Sequence, residues 1–140
     1  PPSPGSQPLA LAVKAGDLHR VVRLLEEGVD PNVADAMGET PIFKAAERHL
    51  ADVVAVLLLH SADPAWENKS FSTPEDYADP ETEKLMMLFQ GKDVDDEERA
   101  GALGVLSAHT REAFVARLQQ QEAVGGGTPR AAAETGEAAA

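Results

Sequence analysis

The chain has 140 residues, 12 Lys and Arg against 24 Asp and Glu, a formal net charge of −12, and no cysteine. That length suits one domain, the missing thiols exclude a disulfide framework or a thiolate metal site, and the acidity argues against nucleic acid and anionic lipid as partners. The charge-free, Gly- and Pro-free run in the middle, Val53 to Leu59, is far shorter than the ~20 residues of a membrane span, so no membrane insertion is expected.

In chain order, Pro1 to Gln7 reads as a flexible leader, and Pro1 to Pro8 has neither the basic nor the apolar region of a signal peptide. A first short helix is predicted from Pro8 to about Lys14. The triplet Ala15-Gly16-Asp17 turns the chain, and a second helix runs from about Leu18 to Glu27 with Val21, Val22, Leu24 and Leu25 as its apolar stripe. Gly28 follows, where a left-handed C-cap suits glycine.

The same unit then returns 33 residues later. Pro8, Pro41 and Pro74 keep that spacing, as do Ala12, Ala45 and Ala78. Leu9 pairs with Ile42, Val21 with Val54, Leu24 with Leu57, Leu25 with Leu58, and Asp30-Pro31 with Asp63-Pro64. Thr40-Pro41 reads as an N-cap followed by proline at the first helical position. A helix from Pro41 to about Arg48 and a second from Val53 to His60 follow. The third unit is degraded. Thr73-Pro74 repeats the cap, but Leu85, Leu88 and Phe89 match the first stripe at an offset of 64, two short of 66, and Glu75 stands where Leu9 and Ile42 stand.

Beyond it, Asp93 to Glu98 is a run of acids with one valine. It lacks the glycine and the terminal acid of a calcium loop, and reads instead as the capped start of another helix. Glu97 to Ser107 and Thr110 to Gln121 are predicted helices. They are either a degenerate fourth repeat, with Arg117 an anomaly at a core position, or two unrelated helices closing the stack. Gly125 to Ala140 is Gly/Ala-rich and reads as a disordered tail.

The segments at residues 7–35 and 39–64 resemble ankyrin repeats. Gly38, Thr40, Pro41, Ala45, Ala46, Val53, Val54, Leu57, Leu58, Ala62 and Asp63 fit that family's pattern, and Pro8, Leu9, Ala12, Gly16, Val21, Val22, Leu24, Leu25, Gly28, Asp30 and Asn32 fit it one unit earlier. The family's helical His is replaced by Ala10, Phe43 and Asp76. His49 and Ser61 stand where glycine is expected, each at a cost of about 1 kcal/mol if its φ is positive. The resemblance implies an all-α solenoid of stacked helix-turn-helix units, with repeats at about 7–38, 39–71 and 72–94, a helical cap at about 96–122, and an ordered domain over 8–124.

It further implies a protein-protein interaction module, an adaptor, targeting or regulatory subunit, that is intracellular, monomeric in isolation and without cofactor, metal or nucleic acid. The binding surface implied is the concave face of fingers and first helices: Ala36, Met37, Lys44, Glu47, Arg48, Trp66, Asn68, Lys69 and Phe71. Trp66 is either a binding anchor or packing against the third unit, and Phe71 is either exposed or locally packed. Lys44 and Arg48 share one helix face and suit an acidic partner. His19, His49, His60 and His109 are scattered without matching acids, so no catalytic set is expected. The alternative is a structural segment of a larger chain, which would leave an apolar patch bare on the Leu103–Leu118 helices or on the third unit.

Overall fold

A computed structural model describes residues 6–125. The predicted leader and tail therefore fall outside the described residues, except where the first helix begins at Ser6 and the last ends at Gly125. The described residues are all-α: α1 (Ser6–Ala15), α2 (Leu18–Glu26), α3 (Pro41–Glu47), α4 (Ala51–Leu59), α5 (Pro74–Tyr77), α6 (Pro80–Phe89), α7 (Asp96–Gly104) and α8 (Ala108–Gly125).

The 33-residue period becomes two layers. The first helices α1, α3 and α5 pack side by side, and the second helices α2, α4 and α6 form the layer behind them. Small residues permit this. Ala12, Ala45 and Ala46 are buried where the first helices meet their neighbours, and Val21, Leu25, Val54, Leu57, Leu58, Leu85 and Leu88 form the seam between layers. Leu24 and Phe89 join the same cluster half-buried.

Each early helix ends in one way. Gly16 and His49 close α1 and α3, and Gly28 and Ser61 close α2 and α4. All four lie at positive φ: 72°, 59°, 98° and 77°. The next residue's N–H then turns back to a carbonyl inside the helix, as from Leu50 to Ala45 at 2.9 Å and from Ala62 to Leu57 at 2.9 Å. The expected strain at His49 and Ser61 is therefore present, and the register forces it. The third unit drops the device between its own helices. Ala78 is extended, Pro80 starts α6 at once, and the two missing residues are those of the turn.

Two expected features are corrected. Thr40 occupies the N-cap position, but its hydroxyl makes no capping bond and is buried without a partner. Its carbonyl takes the Phe43 N–H at 3.0 Å instead. Arg117 is no defect. Its guanidinium lies 5.2 Å from the centre of the Phe89 ring and donates to the Leu59 carbonyl at 3.3 Å, closing the C-terminus of α4.

That contact decides the nature of the C-terminal pair. α7 packs on α6, but α8 turns back and packs on α4, two layers upstream. The Ser107 N–H donates to Asp52 Oδ1 at 2.9 Å at the head of α4, and Phe114 sits beside Phe89 with ring centroids 6.1 Å apart. A fourth repeat would lay α7 and α8 against α5 and α6, so the pair is a folded-back cap. Asp95 opens α7 by accepting from the Glu98 N–H at 2.7 Å, which places the acidic run at a helix start. Leu106, Phe114 and Leu118 are buried. Where burial is described, through residue 121, the patch that the structural alternative would leave bare on these helices is covered, and Val105, just past α7, is the large apolar residue that stays exposed there.

Glu75 keeps an unfavourable place. Its Oε2 is buried without a hydrogen bond, and Lys92 Nζ is 4.0 Å away. Burial pushes its carboxyl above the ordinary range; Lys92 opposes this, while Glu83 and Asp76 add to it. A raised folded-state pKa favours the fold at low pH, and that contribution is lost as pH rises through the folded value. Replacing Glu75 with Leu should therefore stabilise the protein by about 1 kcal/mol at neutral pH, with a smaller gain in acid, where Glu75 is protonated. Ser61→Gly should add about 1 kcal/mol by removing strain. Gly38→Ala should cost about 1–2 kcal/mol, because φ there is 79° and an added Cβ would meet the Lys69 nitrogen at 3.0 Å. Denaturant unfolding followed by the fluorescence of Trp66, the only tryptophan, measures all three.

Candidate functional site

The face opposite α8 is built from the first helices and two loops that project from them. Both loops are the same turn. Asp35 Oδ1 accepts from the N–H groups of Met37 at 2.9 Å and Glu39 at 3.0 Å. One unit later, Asn68 Oδ1 accepts from Ser70 at 2.8 Å and Ser72 at 3.0 Å. The Asp35 N–H donates to the Glu39 carbonyl and the Asn68 N–H to that of Ser72, each at 2.9 Å, closing a finger. The sequence folds this way because a short polar side chain followed by a residue able to take positive φ makes a self-bonded turn.

The fingers are bolted together. The Lys69 N–H donates to the Met37 carbonyl at 3.0 Å. Trp66 Nε1 donates to the Gly38 carbonyl at 3.1 Å, and the indole packs half-buried on the core. Asn68 Nδ2 reaches Glu39 Oε2 at 2.9 Å and the Tyr77 hydroxyl oxygen at 2.8 Å, while the Tyr77 hydroxyl donates to Glu39 Oε2 at 3.0 Å. Phe43 supports Tyr77 edge-on at 5.7 Å. Behind the fingers, Asn32 joins the first two units: its Nδ2 donates to the Ser61 carbonyl, and its Oδ1 accepts from the Asp63 N–H, each at 2.9 Å.

A groove of about 450 Å³ lies between the first two units. Its walls are Ala10, Leu11 and Lys14 on α1, Val33, Ala34, Asp35 and Glu39 on the finger, and Thr40, Pro41 and Lys44 at α3. That volume falls within the ~300–1,000 Å³ typical of ligand clefts. Of the nine residues implied by the resemblance, only Lys44 lines it. Lys44 is tied to Glu47 at 2.9 Å, and Arg48 is exposed beyond it. Met37 and Phe71 are 59 % and 81 % exposed at the finger tips, Lys69 and Ala36 are exposed beside them, and Trp66 and Asn68 have their polar atoms committed to the fingers. Phe71 holds a φ of 64° in the register of Gly38. It escapes the contact that Gly38 makes, because the third unit projects no finger over it.

Sequence reasoning missed Leu11, which is 59 % exposed, and Lys14. The signal was there. Leu11 lies 33 residues before Lys44 and 66 before Tyr77. The shared register faces the fingers, and a leucine in it stands out.

The network sets one titration. The Glu39 carboxylate, by accepting the hydroxyl hydrogen bond, raises the pKa of Tyr77 above that of free tyrosine; burial adds to this. Because the folded pKa is raised, the tyrosine's contribution to stability is complete below pH ~10 and is lost as pH rises through the folded value. Tyr77 is the only tyrosine. Absorbance titration of phenolate should therefore place its midpoint above that of the unfolded chain, and Glu39→Gln should move it down.

The family described as ankyrin repeats (3 copies) matches residues 3–68. The chain is 42 % identical over 82 residues to the 2-5A-dependent ribonuclease of Mus musculus, which covers 52 % of this chain and 11 % of that protein. It is 32 % identical over 84 residues to protein phosphatase 1 regulatory subunit 27 of Homo sapiens, covering 60 % of this chain and 54 % of that one. It is 43 % identical over 60 residues to cyclin-dependent kinase 4 inhibitor B of Bos taurus, covering 43 % and 45 %. The chain thus spans about a tenth of the first relative's length and about half of the other two. The two-layered 33-residue units, the left-handed helix ends and the paired fingers agree with this match, which identifies ankyrin repeats within residues 3–68.

Proposed function

We propose that the concave face binds another protein and that the chain serves as an adaptor, targeting or regulatory subunit. Ankyrin repeats mediate protein-protein interactions and are non-catalytic scaffolds. Among the described residues no group of three or more His, Asp and Glu side chains is placed to hold a metal ion. The observation that carries the reading is the groove with its exposed Leu11, flanked by fingers whose hydrogen bonds fix them before any partner arrives. A surface ordered in advance loses little entropy on binding. Two of the relatives above bear names of the same kind, a phosphatase regulatory subunit and a kinase inhibitor.

The test is affinity capture from cell lysate, with wild type beside Leu11→Asp, a Lys44→Glu/Arg48→Glu pair, and Val105→Asp on another surface. All four positions are exposed or half-exposed, so the variants should keep the helical circular dichroism of the parent. The first two should lose a partner at least about tenfold, a change of ~1.4 kcal/mol. The Val105 variant should retain it. Retention of every partner by both concave-face variants would remove the reading.

A further inference from the structure

We propose that a second surface, the cleft where the helix-to-helix turns of the three units meet the C-terminal cap, binds a basic peptide segment of a protein partner. An aliphatic side chain of that segment lies against Leu18, Leu50 and Val105, and a Lys or Arg cation answers Asp52 and Asp79. The site is separate from the concave face. The fingers lead into the N-termini of α3 and α5, whereas this cleft lies at the other end of those helices.

The cleft holds about 460 Å³, within the ~300–1,000 Å³ of ligand sites. Each layer contributes to it: Leu18 from the first unit, Leu50 and Asp52 from the second, Asp79 from the third and Val105 from the cap. Leu18 and Leu50 are half-buried, and Val105 is 47 % exposed. The cap buries Leu106, Phe114 and Leu118 but leaves Val105 on the rim of this cleft.

The charge of the cleft is negative. Asp52 and Asp79 line it, and no Lys or Arg does. Asp52 Oδ1 accepts the Ser107 N–H at 2.9 Å, and Asp79 Oδ1 accepts the Thr82 N–H at 3.0 Å. Those donors are neutral, so both carboxylates keep their charge. The remaining titratable group of the lining is His49, whose Nδ1 stands 3.8 Å from Asp79 Oδ2, beyond hydrogen-bond reach. Among residues adjoining the lining in sequence, Asp17 and Glu81 add negative charge, Arg48 opposes it, and Glu83 is offset by Lys84 at 3.7 Å. Helix dipoles do not reverse the sign. The N-termini of α2, α4 and α6 reach this end of the stack beside the C-termini of α1, α3 and α5, so opposite partial charges meet in pairs.

These features select the occupant. An acidic segment is repelled by the two carboxylates, and so is a second copy of this chain, at a net charge of −12. A Lys or Arg satisfies both halves of the cleft, because its methylene stem covers apolar surface while its charge reaches outward to the acids.

The experiment is selection of random peptides displayed on phage against the full 140-residue chain, followed by anisotropy titration of the synthetic consensus peptide. The expected consensus places Lys or Arg within a few residues of Leu, Ile or Val. Its affinity should fall at least about tenfold in the double variant Asp52→Asn/Asp79→Asn. Asparagine keeps a side-chain oxygen for the Ser107 and Thr82 N–H groups and removes only the charge, and unchanged helical circular dichroism confirms that the fold is kept. Affinity should also fall measurably in Val105→Ser and as salt rises from about 50 to 300 mM. It should stay unchanged in Leu11→Asp, which alters the concave groove instead. A consensus without Lys or Arg, no enriched peptide, or a basic consensus indifferent to either the double Asn variant or Val105→Ser would overturn the proposal. So would a basic consensus lost in Leu11→Asp, which would assign the peptide to the concave face.

Discussion

The structure depends on one helix being enclosed. α4 carries Val53, Val54, Ala55, Val56, Leu57 and Leu58 in succession, and every one is buried. A helix apolar all round must be covered all round. α2 and α6 cover its two flanks, α3 covers the inner side, and α8 returns to close the outer side. The enclosure explains both ends of the molecule. The C-terminal pair cannot continue the stack, because α8 is needed at α4. The opposite face, where the first helices and fingers stand, is left open.

Enclosure also sets where charge can go. The residues joining α8 to α4 are polar contacts at helix ends: Asp52 takes the Ser107 N–H, and Arg117 takes the last carbonyl of α4 while stacking on Phe89. Each polar group sits where a helix terminus leaves an unsatisfied partner. Arg111 does the same for α7, donating to the carbonyls of Leu103 at 2.9 Å and Leu106 at 2.8 Å. The cap is thus fastened by hydrogen bonds around an apolar centre of Phe114 and Leu118.

The open face is ordered by a different means. Its fingers hold no apolar core of their own and are kept in place by turn side chains, by Trp66, and by the bonds among Glu39, Asn68 and Tyr77. The open face is therefore the exposed remainder of a network whose polar atoms are already used. Phe71 marks its edge. It is a bulky residue in a left-handed conformation with its ring in solvent, a combination the fold by itself does not reward.

By itself the sequence determined whatever repeats. The 33-residue spacing of Pro8, Pro41 and Pro74 and the stripes of Val21, Leu25, Val54 and Leu58 set the helix pairs, their inner faces and the strained ends at His49 and Ser61, because periodicity and capping are local and each position has a counterpart to compare with. Only the tertiary structure decided what has no counterpart. Arg117 looks misplaced until Phe89 and Leu59 lie beneath it. Trp66 and Asn68 look like free finger residues until Gly38, Glu39 and Tyr77 claim their hydrogen bonds, from 9 to 29 residues away along the chain. The groove needs Leu11 and Val33 from one unit and Pro41 from the next at the same place. Such contacts join residues distant in sequence, and no local pattern encodes which of them meet.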